Sequence, residues 1–225
     1  LAVVTEQATA EIAPAVWEAV QHGEIIPQVA VTAAGEDDTA TQLTLPAMLV
    51  APERMRFRFL HDRVQQAAVA LIDKDEIKPI HLRIGRLVWH KFSDAGLDEH
   101  VFDIVSHLGQ CIDLLDSREE RVDVARLCLR AGLKAKTSAA YIAGQRYLAT
   151  GLDLLGENGW TDQYDVCASL HFELAECAYA AGDTDRAIAV FDEILGNART
   201  DLEKARVHQL RSNLAPLIFK YDSTS

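Results

Sequence analysis

The sequence predicts a mainly α protein: a small mixed α/β module through residue 72, then an antiparallel helical array over residues 73–225. Three observations carry this expectation. From Asp73 onward apolar residues recur at helical spacing, as in Ile77, Ile80, Ile84, Leu87 and Val88. Before Asp73 the apolar runs are short and strand-like, as in Ile25–Val31 and in the alternation Arg56-Phe57-Arg58-Phe59. Glycines and capping residues then divide the second part into lengths suited to paired helices.

In chain order, Leu1–Val4 read as the end of a helix, and the opening residue, Leu rather than Met, suggests an interior piece of a longer protein. Thr9–His22 predict a helix with Ile12, Val16, Ala19 and Val20 inward, Pro14 near the first turn and Gly23 as its stop. Glu24–Val31 predict a strand, Gly35–Thr39 an acidic turn, Gln42–Val50 a second strand and Phe57–Leu60 a third. Asp62 is placed to cap a helix carrying Val64, Ala67, Ala68 and Leu71. Asp73–Phe92 form the next helix, with Asp73 and Glu76 at the spacing of a cap and its reciprocal partner. Leu97–Leu115 follow, presenting Val101, Ile104, Val105, Leu108, Cys111, Ile112 and Leu115 on one face.

Ser117 with Glu120 is a capping box opening a helix to about Lys134, and Ser138–Leu155 supply its partner. Thr161–Ala181 and Asp183–Asn197 form a second pair around Gly182, and a last helix runs from Asp201 to about Tyr221, kinked near Pro216. In the second pair Leu174, Ala175, Ala178, Tyr179, Gly182, Asp183, Ala187, Phe191 and Leu195 resemble the packing pattern of a tetratricopeptide repeat, best matched over 161–197. The first pair is degenerate, with Ala143 and Tyr147 as expected counterparts of Ala187 and Phe191 and Ala131 as another packing position. A tetratricopeptide-like superhelix of this kind takes peptides, helices or small effectors on its concave face.

Composition narrows the function. Apolar residues make up 49% and charged residues 25%, and no apolar run reaches the ~20 residues of a membrane span. The net charge of −12 disfavours a nucleic-acid surface, which needs clustered Lys and Arg. Helix, strand, loop, strand, helix is the layout of a winged helix, so residues 1–72 are expected to form a winged-helix-like module. Its would-be recognition helix nevertheless carries Glu11 and Glu18 and no cation, which argues against DNA. Cys111, Cys128, Cys167 and Cys177 are widely spaced on apolar faces and are expected to be reduced core residues. His100 and His107, about two turns apart on one face, are too far apart to share a metal, and His81 and His90, nine residues apart, face differently.

The stretch Phe57-Arg58-Phe59-Leu60-His61-Asp62-Arg63-Val64-Gln65-Gln66-Ala67-Ala68 resembles the segment after the nucleotide-binding core in bacterial predictor ATPases of the STAND class. The likeness extends from Val16-Trp17-Glu18-Ala19-Val20 to the last helices and is strongest around residues 57–72 and 80–88. Such modules occur between serine/threonine kinase and sensor histidine kinase domains. The resemblance implies an upstream ATPase domain using ATP or ADP with Mg, a downstream signalling domain, and a cytoplasmic protein. It also implies a role for His61, because His61-Asp62 resembles the Met-His-Asp motif that contacts ADP phosphate, with Leu60 at the Met position. Physically, an imidazole at a helix N-terminus offers donors to a phosphate. The alternative is that Asp62 caps the helix, His61 packs against the wing, and Arg58 and Arg63 pair with acidic neighbours.

The sequence contains no phosphate-binding loop, nucleophile elbow or His-Glu-x-x-His helix, so no catalytic residue, metal ligand or cofactor is expected within this chain. Tyr141, Arg146, His171 and Glu173 are expected at accessible helix positions. The function expected is a non-catalytic regulatory arm of a multidomain signalling ATPase. Two alternatives are a stand-alone protein-binding scaffold and the central part of an ATP-dependent transcription activator.

Overall fold

The computed structural model describes residues 9–29, 55–92 and 94–222. The expected second strand, Gln42–Val50, lies outside these residues, as do the acidic turn Gly35–Thr39 and Leu1–Val4. The described residues form ten α-helices and one two-stranded antiparallel sheet, a mainly α fold. The chain divides into two compact units, Leu1–Ile80 and His81–Ser225. The sequence expectation places the junction at 72/73.

In the first unit, α1 (Thr9–Gln21) buries Ala13. Pro14 sits in its second turn, one turn further in than expected. The helix ends as Gly23 predicts: Gly23 takes a φ of +72°, its amide donates to the Val20 carbonyl, and the Glu24 amide donates to Ala19. That is the Schellman arrangement, which satisfies two carbonyls the helix leaves open. β1 (Ile25–Val29) pairs with β2 (Met55–Phe59), Ile25 opposite Phe59 and Pro27 opposite Phe57. Pro27 is tolerated because in a two-stranded sheet each strand has one unpaired edge. After β2 comes α2 (Asp62–Ala70), none of whose residues is buried. α3 (Lys74–Lys91) is capped as expected by Asp73, whose Oδ1 accepts from the Asp75 amide at 3.2 Å.

In the second unit the C-terminal part of α3 is followed by α4 (Asp94–Leu108), α5 (Arg118–Thr137), α6 (Tyr141–Leu155), the one-turn α7 (Gly159–Asp162), α8 (Tyr164–Ala180), α9 (Thr184–Asn197) and α10 (Asp201–Asp222). Its core includes Ile104, Leu108, Leu148, Leu170, Phe191 and Ile194, each almost fully buried. On α3 the residues packed against it are Leu82, Val88 and Trp89, joined by Phe92 just past its end, whereas Leu87, expected inward, is 38% exposed. Gly85 is buried against α4, where a Cβ would lie 2.5 Å from Leu108 Cδ2.

Helix α4 is shorter than the expected Leu97–Leu115. It stops at Leu108, Gly109 and Gln110 turn the chain, and a 3-10 turn over Ile112–Leu114 carries Cys111 and Leu115 back into the core. The spacing Leu108, Cys111, Leu115 suits a 3-10 turn as well as an α-helix, so periodicity alone does not separate them. Ser117 caps α5 through its hydroxyl, which accepts from the Glu120 amide at 3.4 Å. The Glu120 carboxylate, expected to reach back and complete the box, instead accepts two bonds from Arg86 of α3, at 2.6 and 2.7 Å.

α6 begins at Tyr141 rather than Ser138. Ala139 takes a φ of +56°, and the Ala140 amide donates to Ala135 while Ala139 donates to Lys136, so Ser138–Ala140 are the turn itself. The α8–α9 turn has the same bonds: Asp183 to Ala178, Gly182 to Tyr179, with Gly182 at φ +81°. Matching the two turns pairs Gly132 with Ala175, Gly144 with Ala187 and Leu148 with Phe191, all buried. The seam of the first hairpin therefore runs through Gly144 and Leu148, one residue beyond the expected Ala143 and Tyr147. Tyr147 is only half-buried and stacks on Phe102 at 5.4 Å. The helix α7, inserted between the hairpins, accounts for much of the extra length over a ~34-residue repeat.

Candidate functional site

At the strand-to-helix junction of the first unit, His61 is the N-cap of α2, with extended backbone (φ −134°, ψ 140°). Its carbonyl accepts from the Val64 amide at 3.0 Å and the Gln65 amide at 3.3 Å. Asp62, expected as the cap, is the first helical residue, where a carboxylate still favours the positive end of the helix. The His61 side chain makes no capping bond and is exposed, as are the side chains of Arg58 and Arg63. An exposed imidazole and two arginines at a helix start form a surface able to donate to an anion.

The second unit gathers charge across three helices. Lys136 of α5 reaches Glu173 and Glu176 of α8, bonding the Glu176 carboxylate at 2.7 Å. Arg206 of α10 donates to the other Glu176 oxygen at 2.9 Å, and its guanidinium lies 4.3 Å from the centre of the Phe172 ring. Burial alone would raise the Glu176 carboxyl, but the bonds from Lys136 and Arg206 outweigh it and hold the group below its ordinary range. Burial likewise opposes the charge on Lys136, and the two glutamates more than restore it. Beside this ladder lies a groove of about 330 Å³ between α8 and α10, lined by Asp165, Ala168, Phe172, Leu202, Glu203 and Arg206 among others. Leu202, 80% exposed at its edge, is available for contact. The groove offers an apolar floor with both signs of charge at its rim, a composition suited to recognition.

Of the four residues expected to be accessible, Arg146 is exposed, Tyr141 half-buried against the core, and Glu173 held in the charge ladder. His171 contradicts the expectation, being only 4% exposed. Its Nδ1 lies 2.8 Å from the Cys167 carbonyl, its Nε2 lies 3.0 Å from Glu193 Oε1, and the ring stacks on Trp160 at 4.5 Å. Trp160 Nε1 donates to the same Glu193 oxygen at 3.2 Å. His171 is thus a polar strut between α8 and α9. A lone histidine at a helical position carries no mark of this, because its partner Glu193 comes from another helix.

The histidine pairings considered from spacing are not the ones formed. His100 stacks on Phe92 and His90 on Trp89, while His81 of α3 meets His107 of α4, their Nδ1 atoms 2.8 Å apart. No local spacing could indicate a pair 26 residues apart on different helices. Among the described residues no group of three or more His, Cys, Asp or Glu is placed to hold a metal ion. All four cysteines are buried thiols outside any disulfide. Burial pushes the Cys128 and Cys167 thiols up to about 12 and the Cys177 thiol to about 11, leaving them protonated at neutral pH and poor nucleophiles.

No protein-family model matches the chain, and no solved structure matches it. The chain is similar to the "Hybrid signal transduction histidine kinase G" of Dictyostelium discoideum, with 27% identity over 192 residues. The match covers 75% of this chain and 6% of the relative's length. Among the described residues no helix is long and apolar enough to cross a membrane.

Proposed function

We propose that this chain is a non-catalytic regulatory arm of a multidomain signalling ATPase, coupling the nucleotide state of a neighbouring domain to partner or effector binding. The observation that carries the proposal is the similarity to a signal-transduction histidine kinase over most of this chain but only 6% of that protein's length. A match of that kind suits an internal segment of a large signalling protein. The resemblance of the His61 region to STAND-class ATPases supplies the finer reading, with an ATPase domain upstream and a signalling domain downstream. The repeated turn chemistry and matched seams of the α5–α6 and α8–α9 hairpins support reading 161–197 as a tetratricopeptide-like repeat and 118–155 as its degenerate counterpart. The winged-helix-like reading of the first unit rests on its helix, paired strands and helix in that order.

In this reading His61 donates to the phosphate of ADP bound next door. The groove between α8 and α10 takes a protein segment or small effector, and two equilibria linked through packed helices transmit the signal without chemistry in the arm. The test is ADP release from the full-length protein carrying His61→Ala. A hydrogen bond to a charged group contributes about 1.5–3 kcal/mol, so retention should weaken roughly ten- to hundredfold. Unchanged release removes His61 from the nucleotide site. The isolated chain should hydrolyse no ATP, and turnover by it would overturn the non-catalytic assignment.

A further inference from the structure

The His81–His107 contact has chemistry of its own. The rings are tilted by 39° with centroids 5.0 Å apart, both side chains are half-buried, and the Nδ1 atoms face each other at 2.8 Å. At that separation one proton must lie between the nitrogens: two bare lone pairs repel, and two N–H groups clash. In the neutral pair, one ring therefore carries its proton on Nδ1 and leaves Nε2 bare, while the other carries its proton on Nε2 and accepts at Nδ1. A first added proton goes to the bare Nε2, and the Nδ1–H···Nδ1 bond survives in charge-assisted form. A second can go only to the accepting Nδ1. It removes the acceptor and sets two imidazolium rings face to face.

We propose that His81 and His107 form an acid-released latch between α3 and α4, closed with zero or one added proton and open with two. The surroundings favour a late second step. Burial lowers the proton affinity of His107, charge on His81 lowers it further, and Asp103, one turn earlier on α4, opposes both without reversing the direction below 6.5. The thiol of Cys111, beyond the end of α4, donates to the His107 carbonyl. Along α3, Lys78, Arg83 and Arg86 are cations, and Arg86 is bound through two nitrogens to Glu120 of α5. Nearby, Gly85 brings the α3 backbone against the side chains of Leu108 and His107, so repulsion between the rings acts beside a tightly packed contact. The latch stands independently of the signalling role proposed above.

The test is an NMR titration of the imidazoles in the whole chain with chelator present, paired with hydrogen exchange over residues 81–108. Interacting sites titrate in steps that belong to the pair. The wild type should show two steps separated by about one pH unit or more, with amide protection, corrected for intrinsic exchange, lost at the second and falling about tenfold per unit. In His81→Asn the His107 midpoint should move upward, and in both His81→Asn and His107→Asn the protection should lose its acid step. Single coincident titrations, an unmoved His107 midpoint, or an acid step retained in both variants would each overturn the proposal. So would line positions that differ when chelator is omitted, since they would assign the pair to a metal ion.

Discussion

The two hairpins α5–α6 and α8–α9 turn with the same backbone bonds yet make them with different residues. At the left-handed position one has Gly182 and the other Ala139; at the following residue one has Asp183, whose carboxylate accepts from the Arg186 amide at 3.2 Å, and the other has Ala140 with no side-chain bond. Along the seam the order reverses in size. The second hairpin buries Phe191 together with Ala175, Ala178 and Ala187, and the first sets the smaller Leu148 against Gly132. Each seam sets small residues on one wall against one large residue on the other, and every matched position of the first hairpin is the smaller, so the same helix pairing results from different sequences. What the turn needs is a conformation, and what the seam needs is a fitted volume; neither needs one residue type.

The largest expected effects test the seams. Phe191→Ala should cost about 3–5 kcal/mol and Leu148→Ala about 2–5 kcal/mol, read from chemical denaturation. A loss under about 1 kcal/mol at either position would show that its seam does not close as described. Gly132→Ala should cost about 1–3 kcal/mol, because the new Cβ falls 2.5 Å from two atoms of the fully buried Leu148 side chain, which has no room to swing away. The matching change in the other hairpin, Ala175→Gly, should cost about 1 kcal/mol through helix propensity with further loss from the void.

The turns respond less and in opposite directions. Ala139→Gly should stabilise by up to about 1 kcal/mol by relieving the left-handed strain, and Gly182→Ala should destabilise by about as much, both measured as shifts in thermal midpoint. Equal signs would break the correspondence of the turns. Asp183→Ala should remove about 1 kcal/mol of capping, and Ala140→Asp should add a few tenths. Smallest is a pH effect confined to the charge ladder. Glu176 is held below its ordinary 4.5, so its contribution is fully present above that value and is lost as pH falls through the lowered one. Glu176→Gln should therefore lower stability at neutral pH and flatten its decline on acidification; an unchanged acid slope would exclude this glutamate as a source.

The same comparison explains what the sequence made legible. The second hairpin was readable because Gly182 and Asp183 are the residues that turn and cap chemistry favours, and Phe191 sits at a marked spacing from Ala187. The first was displaced by one residue, since Ala143 and Tyr147 look like the alanine and aromatic of the other hairpin while Gly144 and Leu148 do the packing. The helical stripe located the buried face of α4 well, with Val101, Ile104, Val105 and Leu108 all buried, even though α4 ends early. Contacts between elements were out of reach: His81 with His107, His171 with Glu193, and Arg86 with Glu120 each depend on which helices pair, and no local pattern encodes that. The strand-to-helix junction at His61 is legible, but residue type points to Asp62 as the cap, aspartate being the commoner one, whereas the backbone makes His61 the cap.

Helix α2 carries the end of the motif around His61, yet none of its nine residues is buried. A helix of that length has little stability alone, since isolated helices shorter than ~12–15 residues are marginal in water. Trypsin should accordingly nick this chain early at Arg63, well before it reaches the arginines of α5. Slower nicking at Arg63 in the full-length protein would mark this segment as a surface that a neighbouring domain shields, and the rate of that single cut would serve as a gauge of engagement.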